Sequence, residues 1–265
     1  MDLGLRGNTA LVAAASRGLG KAVALALAQE GANVVMFSRD AAAIAAAARE
    51  VQDAADGGAQ VVGLAADATR LDDLERVVHR ADERFGGVDV LYNNAGGPKP
   101  GMFDTLSDED WQAAVELNLL SAIRLTRLCL PHMKANHWGR VITGTSSSVK
   151  QPLPTLMLSN SVRSATTAWS KTLADQVAAD GITVNTVAPG RIDTERVRQI
   201  DADVAQRTGR SVDEVERDAL KTVPMGRYGE PAEFGAVVAF LASEKASYVT
   251  GVTLLVDGGL FRGTY

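Results

Sequence analysis

The stretch Ala14-Ala15-Ser16-Arg17-Gly18-Leu19-Gly20 has the composition of a turn that lets backbone approach a phosphate. Close approach to a pyrophosphate requires residues with almost no side chain. A helix beginning at the turn adds free N–H groups and the positive end of its dipole. Gly18 and Gly20 meet the first requirement, although a tight strand-to-helix turn needs glycine for purely steric reasons as well. Other chemistries find less support. Ser, Asp and His do not fall at the spacing of a hydrolytic triad, and no His/Cys cluster suggests a metal. His79, His132 and His137 lie on helical patterns or at their ends and read as surface residues.

A phosphate turn of this kind must sit where a strand feeds a helix, and the flanking residues supply both. Apolar runs at Ala10–Ala14, Val34–Ser38, Val61–Ala65, Val88–Asn93, Val141–Thr145, Thr183–Ala188 and Thr253–Val256 read as strands. They are apolar throughout instead of alternating, the signature of parallel strands covered on both faces. Helical patterns lie between them at Leu19–Glu30, Ala41–Ala55, Leu71–Phe85, Asp108–Ala135, Leu156–Ala179 and Pro231–Ser243. Ser107 before Asp108-Glu109-Asp110, and Ser211 three residues before Glu214, are N-terminal capping signals. Asp40 reads as a further cap. The expectation is one α/β domain over residues 1–265, a Rossmann-like doubly wound sheet of seven mostly parallel strands with helices on both faces. The charged segment 191–228 interrupts the alternation and reads as a lid over the ligand edge.

Bulk properties narrow the partners. The chain has 265 residues, a formal net charge of −5 and no block of Lys or Arg, which argues against nucleic acid and anionic membrane. The single cysteine, Cys129, allows no intrachain disulfide. The apolar stretch from Thr9 to Ala15 reads as a first buried strand and not as a signal-peptide core, and no apolar run reaches the ~18 residues of a membrane span. A cytoplasmic protein acting on a small molecule is expected.

Further motifs follow in order. Asn93-Asn94-Ala95-Gly96 closes the fourth strand, Asn118 sits in the long fourth helix, Pro189-Gly190 follows the strand holding Val184-Asn185, and Asp257-Gly258-Gly259 closes the seventh. In this order and at these intervals they resemble the short-chain dehydrogenase/reductase family over essentially the whole chain, and within it 3-oxoacyl-acyl-carrier-protein reductase-like members. The resemblance implies that Ser16, Arg17, Gly18, Leu19 and Gly20 hold the cofactor phosphates, that Asp67 contacts the adenine and Asn93 the adenine ribose, and that Ile192 and Thr194 touch the nicotinamide carboxamide. It also implies a homotetramer. The family's first loop glycine is Ala14 here.

The choice of cofactor has its own physical argument. An acidic residue ending the second strand would bond a ribose 2′-OH and repel a 2′-phosphate. That end reads Phe37-Ser38-Arg39-Asp40, so Arg39 and Arg17 together could bracket a 2′-phosphate, and NADP is expected.

At the catalytic end the pattern breaks. The family places a Ser after the fifth strand and a Tyr-x-x-x-Lys motif thirteen residues later. Ser146 takes the first position, but Ser159 and Arg163 stand where the Tyr and Lys belong. Lys171-Thr172-Leu173-Ala174 stays in register, so a gap does not explain the change. A serine hydroxyl is a far weaker acid than a phenol of pKa ~10, and an arginine does not give up a proton at neutral pH. The resemblance thus leaves Asn118 and Ser146 as catalytic residues, Ser159 as a substrate contact and Arg163 as a ribose-binding cation. Lys150, Arg191 and Asp193 are further candidates to face substrate, the last two as a charged pair; Tyr92, Tyr228, Tyr248 and Tyr265 read as structural. An NADP-dependent oxidoreductase acting on a carbonyl, enone or imine is the leading reading. A non-redox isomerase, lyase or cyclase on the same fold, or a cofactor-binding protein without chemistry, stands as the alternative.

Overall fold

The computed structural model describes residues 2–264. Its seven apolar runs form one wholly parallel sheet: β1 Thr9–Ala13, β2 Asn33–Ser38, β3 Val61–Ala65, β4 Val90–Asn93, β5 Gly139–Gly144, β6 Ile182–Pro189 and β7 Thr253–Val256. The spatial order is β3-β2-β1-β4-β5-β6-β7. The chain runs outward from β1 to β3, returns to the middle and continues from β4 to β7. The reversal between β1 and β4 is the switch point at which doubly wound sheets bind ligands, outside the carboxyl ends of the strands.

Alternate residues of each strand enter two cores. On one face Ala10, Val12, Met36, Tyr92 and Ile142 pack against α1 (Gly18–Gln29), α2 (Ala41–Asp53) and α9 (Pro231–Ala242). On the other, Leu11, Val35, Leu91, Val141 and Val184 pack against α3 (Leu71–Phe85), α5 (Ser121–Ala135) and α6 (Met157–Val177). Two-sided burial is why the strands read as unbroken apolar runs. The α1 and α9 helices touch at a glycine: a Cβ on Gly235 would stand 2.7 Å from the Ala22 carbonyl oxygen.

Two elements differ from expectation in form. The single helix expected over 108–135 is α4 (Asp108–Val115), one π-helical turn (Glu116–Leu120) and then α5. The π turn holds Asn118, and such bulges break the i→i−4 ladder most often at functional positions. Segment 191–228 contains two helices, α7 (Glu195–Thr208) and α8 (Val212–Thr222). The expected caps form: the Ser107, Ser211 and Asp40 side chains accept the N–H groups of Asp110, Glu214 and Ala43. No helix among the described residues is long and apolar enough to cross a membrane.

Candidate active site

At the switch point β1 ends and the chain enters the turn 14–20. Ala14 adopts φ +50°, a left-handed conformation that glycine takes without cost and alanine does not. Gly20 is needed for closure: a Cβ there would lie 2.3 Å from the Ala14 carbonyl oxygen. Gly18, at φ +56°, faces Thr194, whose Cγ2 would stand 3.7 Å from a Cβ on Gly18. The glycine keeps the gap between the turn and Thr194 free of a side chain, the form of cradle a pyrophosphate requires. Leu19 packs inward against the core beneath the turn. The Asn94 amide lies 3.4 Å from both the Ala13 and Ala14 carbonyl oxygens and ties β4 to the turn. Thr194 caps α7, its hydroxyl accepting the Val197 N–H, and Ile192 is buried beside Gly229.

The residues expected to contact the nucleotide are only partly assembled. Arg39 is exposed just past β2. Arg17, expected beside it, instead points to α7 and pairs with Glu195 at 2.6 Å. Both partners are more than half exposed, so the pair is weak and reversible. The Asp67 carboxylate, after β3, accepts the Thr69 N–H and hydroxyl. Asn93 is turned inward, its amide 3.0 Å from the Thr126 hydroxyl, so its side chain does not face an open cleft.

Asn93, Asn118 and Arg163 meet around a cavity of about 10 Å³, room for about one water. The Oδ1 atoms of both asparagines are buried without partners. The Asn118 side-chain amide donates to the Ala114 carbonyl and its backbone carbonyl accepts the Thr166 hydroxyl at 3.0 Å, so α6 is fastened to the π turn. Arg163 is buried on α6. Its Nη1 donates to the Gly144 carbonyl (2.9 Å) and its Nη2 to the Ala95 carbonyl (3.3 Å), at the ends of β5 and β4. Burial pushes its pKa down to about 10, and the Arg196 guanidinium adds to the fall. Ser159 is buried one turn earlier on the same helix. The Ser146 hydroxyl accepts the Ser148 N–H at 3.1 Å, which leaves its own hydrogen available to a substrate oxygen.

A second, larger cavity of about 440 Å³ lies beyond Ser146, lined by Ser147, Gln151, Leu153, Thr222, Leu260, Phe261 and Arg262. The Asp257-Gly258-Gly259 motif builds its far wall: the Asp257 carboxylate accepts the N–H groups of Gly259 and Phe261, both at 2.9 Å. The sequence reading missed Leu260 and Phe261. Two large apolar residues directly after a glycine turn were the available signal.

The charged pair expected at Arg191 and Asp193 does not form. Arg191 binds Asp201 at 2.6 Å and the Tyr228 hydroxyl at 3.2 Å, and Tyr228 donates to Asp201 at 2.8 Å. Asp193 binds Arg198 at 2.8 Å. Both partners lie on α7: Asp201 accepts from Arg191, and Arg198 donates to Asp193. Together with the backbone pairing of Arg191 and Asp193 to Gly229, these contacts clamp both ends of the 191–228 segment. Lys150 is exposed. Tyr92 is fully buried and Tyr248 fully exposed; Tyr265 lies outside the described residues. His132 is no plain surface residue: it sits 2.9 Å from Asp89, whose other oxygen accepts the Thr9 N–H at the opposite edge of the sheet. Asn185 is structural, with its amide donating to Val249 and its carbonyl accepting from Val252.

A family model described as enoyl-(acyl carrier protein) reductase matches residues 13–261. The chain is 36% identical over 264 residues to 3-oxoacyl-(acyl-carrier-protein) reductase of Vibrio cholerae, covering 98% of this chain and 99% of that protein. It is 37% identical to the Escherichia coli protein of the same name over the same shares. Among solved structures it is similar to L-sorbose reductase from Gluconobacter frateurii complexed with NADPH and L-sorbose. That match has a TM-score of 0.93 and 32% identity, over 99% of this chain and 100% of that one. A variant of actinorhodin polyketide ketoreductase with NADPH matches with a TM-score of 0.92 and 32% identity, over 97% of this chain and 98% of that one.

Proposed function

This chain belongs to the short-chain dehydrogenase/reductase family, and we propose that it is an NADP-dependent oxidoreductase of that family, reducing a carbonyl, enone or imine without the family's phenol. The observation that carries the reading is the side-chain-free gap between Gly18 and Thr194 at the switch point, in a chain similar over 99% of its length to a reductase complexed with NADPH. The turn 14–20, Asp67, the backbone at Asn93, Ile192 and Thr194 would hold the cofactor, with Arg39 at the 2′-phosphate; Arg17 joins it by exchanging Glu195 for the phosphate. The segment 191–228 is the lid, hinged where Arg191 and Asp193 pair with Gly229.

The bound cofactor supplies a hydride. The protein's share is to orient the substrate oxygen and to stabilise charge on it. The Ser146 hydroxyl, already capped by the Ser148 N–H as acceptor, donates its hydrogen to that oxygen. Ser159 adds a second hydroxyl contact but no proton at neutral pH, so water supplies the proton. The larger cavity beside Ser147, walled by Leu153, Leu260 and Phe261, takes an apolar substrate body.

Calorimetry with NADPH and NADH on the wild type and on Arg39→Ala tests the cofactor, alongside NADPH oxidation over ketones, enones, imines and acyl thioesters. The wild type is expected to prefer NADPH and the variant to lose the preference. Equal affinities in the wild type would remove the 2′-phosphate argument, and binding without turnover on any substrate would return the non-redox reading.

A further inference from the structure

Arg163 is buried at the carboxyl edge of the sheet, and among the described residues its hydrogen-bond partners are carbonyl oxygens alone. Its two bonds, to Gly144 and Ala95, satisfy N–H groups but cancel no charge. No carboxylate among the described residues comes within ion-pair distance of it; the groups whose charge it feels are Arg196 and the Tyr92 phenol. Burial drives that phenol's pKa far up, so it stays neutral. Arg196 reaches across from α7 to the 96–98 loop, its Nη2 3.4 Å from the Pro98 carbonyl and 3.1 Å from where a Cβ on Gly97 would stand. Two guanidiniums therefore face the edge between β4, β5 and α7. The cavity beneath Arg163 is not an anion site, because the unpartnered atoms lining it are the Oδ1 acceptors of Asn93 and Asn118.

We propose that this uncompensated positive field makes the cleft discriminate between the redox states of its cofactor, holding the reduced, uncharged nicotinamide and disfavouring the oxidised, cationic one. The inference rests on the reading of the cleft as an NADP(H) site; with both forms present, the cleft fills with the reduced one. A second cation brought within several ångströms of a buried one, at an effective dielectric of ~20, loses about one to two powers of ten in affinity. The same field suits the chemistry of Ser159. Hydride transfer breaks a C–H bond of the reduced ring and forms one at the substrate carbon. The carbonyl π pair moves onto oxygen, which then takes its proton from water. The ring that gives up the hydride becomes cationic, so the field assists the step only at the oxygen, where it stabilises the developing negative charge.

The test is the pair of dissociation constants for NADPH and NADP⁺, by calorimetry, on the wild type, Arg163→Lys, Arg163→Gln and Arg196→Gln. The wild type is expected to bind NADPH at least about tenfold more tightly than NADP⁺. Arg163→Lys should keep that ratio, Arg163→Gln should bring it close to one, and Arg196→Gln, an exposed position, should reduce it by about threefold. Equal wild-type affinities overturn the inference while leaving the cofactor reading intact, as does a full ratio retained in Arg163→Gln. Should Arg163→Gln not fold, an unchanged ratio in Arg196→Gln overturns it. Absence of binding by either form overturns the cofactor reading and this inference with it.

Discussion

The phenol of Tyr92 lies wholly inside the protein on β4, edge-on to Phe234 with ring centroids 6.5 Å apart, and its hydroxyl has no hydrogen-bond partner among the described residues. Leaving a buried hydroxyl unpaired costs about 1–3 kcal/mol relative to water. Tyr92→Phe removes that oxygen and forfeits only the few tenths of a kcal/mol of dispersion that one atom contributes. A net gain of about 1 kcal/mol is expected, or a rise of about 2–4 °C in Tm for a chain of this size. Gly144 sharpens the test. A Cβ there would stand 2.6 Å from the phenol oxygen but 3.3 Å from the ring carbon that bears it. Gly144→Ala in the wild type therefore forces an overlap worth about 1–3 kcal/mol, and most of that cost disappears once the oxygen is gone. A double-mutant cycle by urea unfolding, with m unchanged, should give a coupling of about 1 kcal/mol or more between the two sites. Tyr92→Phe losing 1 kcal/mol, or Gly144→Ala costing the same in both backgrounds, would show that the hydroxyl is held by a partner and that the packing argument fails.

Ala14→Gly should stabilise the protein by about 0.5–1 kcal/mol, because φ +50° costs an L-residue about 1–2 kcal/mol and glycine's extra entropy returns part of it; a lower Tm would refute this. Tyr228→Phe strips Asp201, buried on α7, of one of its two donors and should cost about 1–2 kcal/mol, with faster proteolysis inside 191–228; unchanged proteolysis would show that the network does not hold that segment. The exposed Phe240, Tyr248, Val252 and Leu254 lie on or beside α9 and the edge strand β7, a surface suited to a symmetric homo-oligomer, expected to be a tetramer; light scattering that finds only a 27.8 kDa species would refute it.

Much of this molecule follows from short-range pattern. Unbroken apolar runs give parallel strands because a strand covered on both faces needs no polar side, and Ser107, Ser211 and Asp40 announce helix starts because a cap bonds within its own first turn. The turn 14–20 is legible for the same reason: Gly20 answers a steric demand made by the Ala14 carbonyl a few positions away, and Gly18 answers its own positive φ. The destinations of long charged side chains are a different matter. Arg17 finds Glu195, 178 positions along the chain, because the start of α7 folds against the turn. Arg191 and Asp193, adjacent enough in sequence to be read as one pair, separate because α7 offers each a nearer partner. Sequence likewise identifies Arg163 as a cation on the helix that follows the fifth strand. Only the tertiary structure shows that its guanidinium is buried against two strand ends with no acid opposite, since the field at a site is the sum of charges from elements that meet only when the chain folds.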